Sequence, residues 1–237
     1  MQRTDLLAAL VFGVLASSGG LARGQCPPPP ETAEAVAVEQ DGTIRLADGR
    51  EIVFAGIELS AEGRAALPAF VRERPLTIRP LGRADRWGRQ PAHVDEVEEV
   101  LAAQGLAHAA AQARDACLAP ILAAEAQASA HRRGIWRQPA LSATDGEALT
   151  ARLGRHIVAE GRVASARLHR GRIYLNFARY WKSGLSLIIA EKDWPLFAGG
   201  APVDSLTGKR LRARGHLEWR GGPAILAGAG DRIEILP

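Results

Sequence analysis

Apolar and polar residues alternate between positions 34 and 57. Ala35 and Ala37 are followed by Ile44 and Leu46, with turn signals at Asp41-Gly42 and Asp48-Gly49. The run Ile52-Val53-Phe54-Ala55-Gly56-Ile57 reads as a buried strand. Together these predict two or three antiparallel strands joined by tight turns. Ser60, three residues before Gly63, reads as the N-cap of a helix over 64–71. Residues 75–80 and 91–94 are further short strands, around Asp85-Arg86-Trp87-Gly88-Arg89. Helical spacing then occurs twice. Val97, Leu101, Gln104 and Ala107 form one set, and Leu118, Ile121, Ala124 and Ala128 the other, which ends near Gly134. Strands first, then helices packed at one end, predict an α+β, mostly β, barrel.

The stretch from Gln138 to Asp145, with Pro139, Ser142 and Asp145-Gly146, predicts a linker over 139–149. Beyond it, 157–168 reads as a long strand with a bulge at Gly161. Gly171 turns the chain into a strand over 172–177, and 185–190 is a third. A short helix over 191–197 follows, with Asp193-Trp194-Pro195 in its opening turn, then strands over 210–219, 224–226 and 233–236. Three strands, a helix and more strands is the order of a small Greek-key barrel of the OB type. The expected layout is a barrel with helices over 34–138 and a second, smaller OB-like β-barrel over 150–237.

Residues 1–24 have a short basic start at Arg3, an apolar stretch over Leu6–Leu15 and small residues at Ala22 and Gly24. That is the pattern of a secretory signal peptide cleaved before Gln25. Cys26 and Pro27–Pro30 cannot continue a helix, which weighs against a buried N-terminal helix. Gln25 is not small, so a lipid anchor on Cys26 is not expected. No later apolar run approaches the roughly 20 residues of a membrane span, so no stable membrane insertion is expected after cleavage. The Pro-rich segment 25–33 would then begin a periplasmic or secreted chain, in an oxidising compartment. Cys26 and Cys117 are the only cysteines. They form a disulfide that clamps the Pro-rich segment to the first domain, or stay as two thiols, and bonding is the usual outcome outside the cytosol.

A hydrophobic content of 47% and a charged content of 24% exclude wholesale disorder. The net charge of +4 is carried almost wholly by arginine, since Lys182, Lys192 and Lys209 are the only lysines. It is unevenly spread. Residues 25–138 carry 13 basic and 16 acidic side chains, whereas 139–237 carry 15 basic and 9 acidic ones. Along 170–177, Ile173, Leu175 and Phe177 point one way, and Arg170, Arg172, Tyr174 and Asn176 the other. Along 210–219, Leu211, Ala213, Leu217 and Trp219 are the apolar set, with Arg210, Arg212, Arg214 and His216 opposite. If the two strands lie near each other, they present five arginines with Tyr174 among them, which is the composition of a single-stranded nucleic-acid platform. The alternative is an ordinary solvated sheet face that is arginine because the chain is poor in lysine.

Five stretches carry a resemblance. They are Asp41-Gly42-Thr43-Ile44-Arg45-Leu46, Ala55-Gly56-Ile57-Glu58, Asp85-Arg86-Trp87-Gly88-Arg89, Leu101-Ala102-Ala103-Gln104-Gly105-Leu106-Ala107, and Ala124-Glu125-Ala126-Gln127-Ala128 running to Gly134-Ile135-Trp136. In this order and spacing, residues 34–136 resemble the staphylococcal nuclease (thermonuclease-like) domain, an OB-type barrel with three helices. The resemblance implies phosphodiester hydrolysis. That chemistry needs carboxylates on a divalent cation, here Ca²⁺, a base to activate water and arginines against the developing phosphate charge. One implied arginine is present as Arg89. Gly42 stands where the metal-binding Asp belongs, with Asp41 one place early. Val53 stands where the first arginine belongs, Glu58 replaces the second Asp, and Ala61 stands at the base position with Glu62 one further. Two readings follow. Either Glu62 serves as base while Asp41 and Glu58 hold Ca²⁺ and Arg89 clamps phosphate, or the barrel persists without the chemistry. In the bland reading Asp41 is a turn residue, Glu58 and Glu62 are solvated, and Arg89 is an ion-pair partner of Asp85 or Glu58.

The six histidines show no metal-ligand spacing, and there is no P-loop, G-x-S-x-G elbow or dinucleotide fingerprint. The expectation is therefore an exported nucleic-acid-binding protein with weak or lost hydrolysis. The alternatives are a non-catalytic scaffold that binds an envelope protein partner, and an active Ca²⁺-dependent nuclease with rearranged carboxylates.

Overall fold

The computed structural model describes Cys26 and residues 28–72, 74–110, 117–198, 201–228 and 233–236. Residues 1–24, expected to be a signal segment, Gln25 at the expected cleavage point, and Gly199-Gly200 of the loop after the short C-terminal helix lie outside the described residues. Mixed α and β structure, mostly β, forms two units. Strands β1 (Glu31–Val38), β2 (Ile44–Leu46), β3 (Glu51–Phe54), β5 (Pro75–Pro80) and β6 (Arg89–Val94) close a five-strand barrel in the order β1-β2-β3-β6-β5. β4 (Ile57–Leu59) pairs separately with β7 (Ala107–Ala109). Alternation fills the barrel, since Ile44, Leu46, Ile52, Leu76 and Ile78 are all buried. Helices α1 (Ala61–Ala66), α2 (Pro68–Val71), α3 (Val97–Ala103) and α4 (Leu118–Ala130) add Leu67, Val71, Leu101, Leu118 and Ile121 to the same core.

The expected strand over 52–57 is two strands, broken at Ala55-Gly56. A buried carboxylate holds the break. Glu98 accepts the Gly56 N–H at 2.9 Å and sits 2.6 Å from His93 Nδ1. A Cβ on Gly56 would lie within 3 Å of the side chains of Ile121, Glu98 and His93, so a larger residue there would have to displace them. Ser60 caps α1 by accepting the Gly63 N–H at 2.9 Å. Ala107, which the spacing assigned to a helix, lies in β7, because α3 stops at Ala103 and Gly105 turns the chain at φ +69°. Cys26 and Cys117 are joined by a disulfide. Arg79 reinforces it by donating to the carbonyls of Cys26 (2.9 Å) and Pro28 (3.0 Å) while paired with Asp95. The start of the described chain is thereby fixed to the barrel and to the N-terminus of α4.

The second unit is larger than the barrel, not smaller as expected. Its strands are β8 (Leu141–Ser142), β9 (His156–Arg162), β10 (Ser165–His169), β11 (Arg172–Asn176), β12 (Ser186–Ala190), β13 (Arg210–Trp219), β14 (Pro223–Ala227) and β15 (Ile233–Leu236). They form an eight-stranded mixed sheet in the order β10-β11-β12-β14-β13-β9-β8, with β15 beside β13. The stretch 139–149 contributes β8 and the short helix α5 (Gly146–Thr150), capped by Asp145. Gly161 is not a bulge, because β9 pairs with β13 in unbroken register from His156 to Arg162. It is glycine because a Cβ there would meet Ala143 and Phe177. The chain bends after Arg162, so the expected long strand is β9 followed by β10. Helix α6 (Trp194–Ala198) leads toward β13. Phe177, on the apolar side of its strand, is buried as expected and Trp194 is buried too, but Trp219, placed in the apolar set of its strand, is 56% exposed.

The units meet at one buried charge. Arg214 of β13 is 2% exposed. Its guanidinium grips Glu125 of α4 through two nitrogens, at 2.8 and 2.7 Å, and Glu234 of β15 at 2.9 Å. Glu125 also accepts the Ala109 N–H at 2.9 Å. Removing one partner from such a pair strands the other charge in a dry site, at a cost of about 3–5 kcal/mol. Arg214→Ala is therefore expected to destabilise the protein by that amount in urea unfolding. The double replacement Arg214→Met/Glu125→Leu should cost clearly less than Arg214→Ala. A single variant that unfolds like the parent would show that the pair does not hold the units together.

Candidate functional site

The residues expected to gather around Ca²⁺ do not gather. Asp41 lies in the β1–β2 turn, where it accepts the Thr43 N–H at 2.9 Å and faces Arg89 at 3.1 Å. Those contacts, first the Thr43 N–H, hold its carboxyl below the usual range. Glu58 is half-buried on β4, opposite His108 of β7. Glu62 is exposed in the first turn of α1. Among the described residues no group of three His, Cys, Asp or Glu side chains is placed to hold a metal ion. Asp41 is already engaged by the Thr43 N–H and Arg89 and is not joined by Glu58 and Glu62 in a ligand group, so the donor set as placed does not fit Ca²⁺.

Arg89 is equally committed. Its Nε donates to Asp85 at 2.9 Å, Nη2 lies 2.8 Å from the same carboxylate, and Nη1 reaches Asp41. Of the readings weighed for Arg89, the ion pair with Asp85 is the one in place. Beyond it stands Trp87, 62% exposed, with the Arg86 guanidinium 3.9 Å from its ring centre. Gly42, where a metal-binding Asp would belong, has φ +92°, and a Cβ there would lie 2.7 Å from Leu59 Cδ1. The backbone at this position is shaped for glycine. Val53 offers no charge where an arginine would belong.

The six residues expected to form one basic face divide into two groups, because β12 and β14 stand between β11 and β13. On β13, Arg210 and Arg212 pair with Glu160 at 2.7 and 2.6 Å, and Arg214 is the buried clamp. These three are used up within the protein. On β11, Arg172 and Tyr174 line a groove of about 530 Å³ on the outer face of β10, β11, β12 and β14. Arg170 is exposed at the adjoining turn, with φ +48°.

Register explains the groove. Arg167, Tyr174, Ile188 and Leu226 form one row across the four strands, and Ser165, Asn176, Ser186 and Ala224 form the next. Asn176 is fixed at the floor, accepting from Ser186 at 2.9 Å and donating to Ser165 at 3.1 Å. Arg179, Trp181 and Arg220 close one side, and no acidic side chain lines the groove. Arg220 pairs with Glu218, whereas Arg167, Arg172 and Arg179 have no ion-pair partner among the described residues. The sequence reading missed Arg167, Arg179 and Trp181. Only Arg167 had an available signal, two places before His169 on the same alternating face.

At the junction of the units, Trp136 and the imidazoles of His108, His156 and His216 form a chain. Ring centres lie 5.2 Å apart for His108–Trp136, 6.0 Å for His108–His156 and 5.6 Å for His156–His216. Burial, then the neighbouring His108, His216 and Arg214, push the His156 pKa down to about 3. Burial works against the Glu125 carboxylate, but His108, Arg214 and the Ala109 N–H outweigh it and hold its pKa at about 2.

No protein-family model matches this chain, and no curated protein matches it.

Both junction groups make the protein acid-sensitive. Unfolded, His156 titrates near 6.5 and Glu125 near 4.5; folded, they titrate near 3 and 2. In those windows the unfolded chain holds the extra protons, so stability falls as pH falls. The urea midpoint is expected to be level above about pH 7.5 and to drop steadily from about pH 6.5 toward pH 4. His156→Phe should remove the upper part of that drop. A midpoint that is the same at pH 7 and pH 5 would contradict this account.

Proposed function

We propose that this chain is an exported nucleic-acid-binding protein of the thermonuclease type. In this reading the first barrel has kept its shape and lost most or all of its hydrolysis, and the second sheet binds single strands. The observation that carries it is the groove on β10, β11, β12 and β14, with three unpaired arginines, Tyr174 and Trp181, and no acid among its lining residues. A single strand needs cations along its backbone and an aromatic face for its bases. Residues two apart on one strand face lie about 6.8 Å apart. A base stacked on Tyr174 would therefore have Arg172 and the cross-strand Arg167 within reach of its flanking phosphates.

The strand connectivity supports a finer fold reading. In the barrel, β1 pairs with β2 and β5, and β3 runs parallel to β6. If β9 and β10 are one bent strand, the second sheet repeats this. The bent strand pairs with β11 and β13, and β12 runs parallel to β14. We therefore read it as a second OB-type barrel, opened at the bend and extended by β8 and β15. The groove then occupies the face that OB-folds use for oligonucleotides. Export is supported by the Cys26–Cys117 bond. No helix among the described residues is long and apolar enough to cross a membrane.

Loss of hydrolysis is supported by the turn around Asp41, whose carboxylate and partner Arg89 neutralise each other, and by the absence of an arginine at Val53. The mature protein is expected to release no acid-soluble nucleotide from DNA or RNA with Ca²⁺. Release that is abolished by Arg89→Ala would overturn the loss of chemistry. For binding, single-stranded DNA is expected to show a log–log salt slope of about −2 to −3, as three or four phosphate contacts give. Arg167→Gln/Arg172→Gln should weaken binding at low salt at least tenfold and reduce the slope by about 1.4, whereas Arg210→Gln should change neither. An unchanged slope would dismiss the groove, and no binding at low salt would leave only the partner-binding scaffold.

A further inference from the structure

The floor of the groove carries polar side chains that phosphate and stacking contacts leave unused. Ser165, Asn176 and Ser186 stand at directly opposed positions on β10, β11 and β12. All three line the groove, Ser165 half-buried, Asn176 9% exposed and Ser186 4% exposed. An asparagine held between two serines has a fixed amide. Ser186 donates to Asn176 Oδ1 at 2.9 Å, and Asn176 Nδ2 donates to Ser165 Oγ at 3.1 Å. The amide carbonyl therefore lies on the β12 side and its nitrogen on the β10 side.

A primary amide has two N–H donors and two carbonyl lone pairs, and each serine uses one of them. One N–H and one lone pair of Asn176 have no partner among the described residues. Because the amide is planar and flanked on both sides, these two share the edge that faces away from the serines. Ser165 accepts from Asn176, so its own hydroxyl hydrogen is available as well. Ser186 has its hydrogen on Asn176 and is the most deeply buried of the three, so its part is to hold the amide. Read from β10 to β12, the row offers a donor, a donor and an acceptor.

That order distinguishes bases. The Watson–Crick edge of cytosine runs acceptor, acceptor, donor (O2, N3 and the 4-amino group) and answers all three positions. Thymine and uracil put N3–H in the middle and guanine puts N1–H there, which sets a donor against the Asn176 N–H. Adenine answers the amide through N1 and its 6-amino group but leaves Ser165 unmatched. Tyr174 is the next residue on the same face of β11, and side chains stand roughly perpendicular to a sheet. A base stacked on Tyr174 on the side toward Asn176 thus brings its edge down onto the row. We infer that the groove selects cytosine, through Ser165 and the amide of Asn176. This rests on the proposed single-strand site and adds to it the base that is read there.

The test is fluorescence anisotropy of labelled dC and dT strands, each of about ten nucleotides, with the mature, disulfide-bonded protein at pH 7.5 and one low salt concentration. The two pyrimidines stack alike, so their ratio reports the edge contacts. The dC strand is expected to bind at least tenfold tighter than dT. Asn176→Leu should make the two equal, and Ser165→Ala should cut the preference at least threefold while leaving dT binding unchanged. Arg167→Gln/Arg172→Gln should weaken both strands alike and keep their ratio, because phosphate contacts carry no sequence information. Equal binding of dC and dT, or tighter binding of dT, would overturn the cytosine reading and leave the single-strand site standing. So would a dC preference that survives in both Asn176→Leu and Ser165→Ala. Failure of both strands to bind would overturn the single-strand site and this inference with it. If Asn176→Leu does not fold, Ser165→Ala and the dC-to-dT ratio of the parent decide.

Discussion

One guanidinium ties together four elements that the sequence keeps far apart. Arg214 leaves β13, takes both oxygens of Glu125 on α4, and takes Glu234 on β15, while Glu125 in turn holds the Ala109 N–H of β7. A buried charge is tolerable only when it is both paired and hydrogen-bonded. The planar fork of arginine can serve two carboxylates at once, which a lysine ammonium cannot do with the same geometry. The apolar contact that accompanies it is small, chiefly Ala128, Trp136 and Val158 with Ile135 and Ala140. This charge network and that apolar cluster together join the units, and the histidine chain lies beside them. The titratable groups among them make the junction sensitive to protons.

Arginine has two fates in this chain. In the barrel, Arg45, Arg50, Arg79 and Arg89 are all matched by carboxylates, and at the edge of the second sheet Glu160 absorbs Arg210 and Arg212. On the β10–β11 side the acids run out. Arg167, Arg172 and Arg179 meet a groove bordered by Tyr174, Trp181 and the apolar Ile188 and Leu226. The charge split between the halves thus becomes a local field only where acidic partners are missing. Net charge alone misleads about its position, since the most basic strand by sequence, β13, has its arginines neutralised.

Alternation made the barrel strands and the inward faces of β11 and β13 legible, because period-two burial follows directly from strand geometry. Ser60 as a cap was legible for a similar local reason. What could not be read was pairing between distant segments. The break at Gly56 is imposed by Glu98, 42 residues away, and the glycine at 161 by Ala143 and Phe177 across the sheet. Strand order had the same consequence for the site. Arg172 and Tyr174 were found from alternation, but joining them to Arg210, Arg212 and Arg214 assumed a neighbour relation that β12 and β14 interrupt. Arg179 and Trp181 follow β11 outside any periodic segment, so no pattern marks them.

The Asp41 turn shows why a one-residue displacement of an acid is more than a substitution. Asp41 is held by the Thr43 N–H and Arg89, and Gly42 occupies a left-handed conformation with Leu59 against the place a side chain would take. Restoring an acid at 42 would demand a backbone conformation that L-residues rarely adopt, together with movement of a buried leucine. Restoring an arginine at Val53 would leave Asp85 and Asp41 still occupied by Arg89. The first barrel is thus held in a self-neutralised arrangement by its backbone as well as by its side chains. A ligand with negative charge then finds Arg89 already neutralised at this turn, whereas the groove of the second unit offers Arg167, Arg172 and Arg179 unmatched beside aromatic side chains.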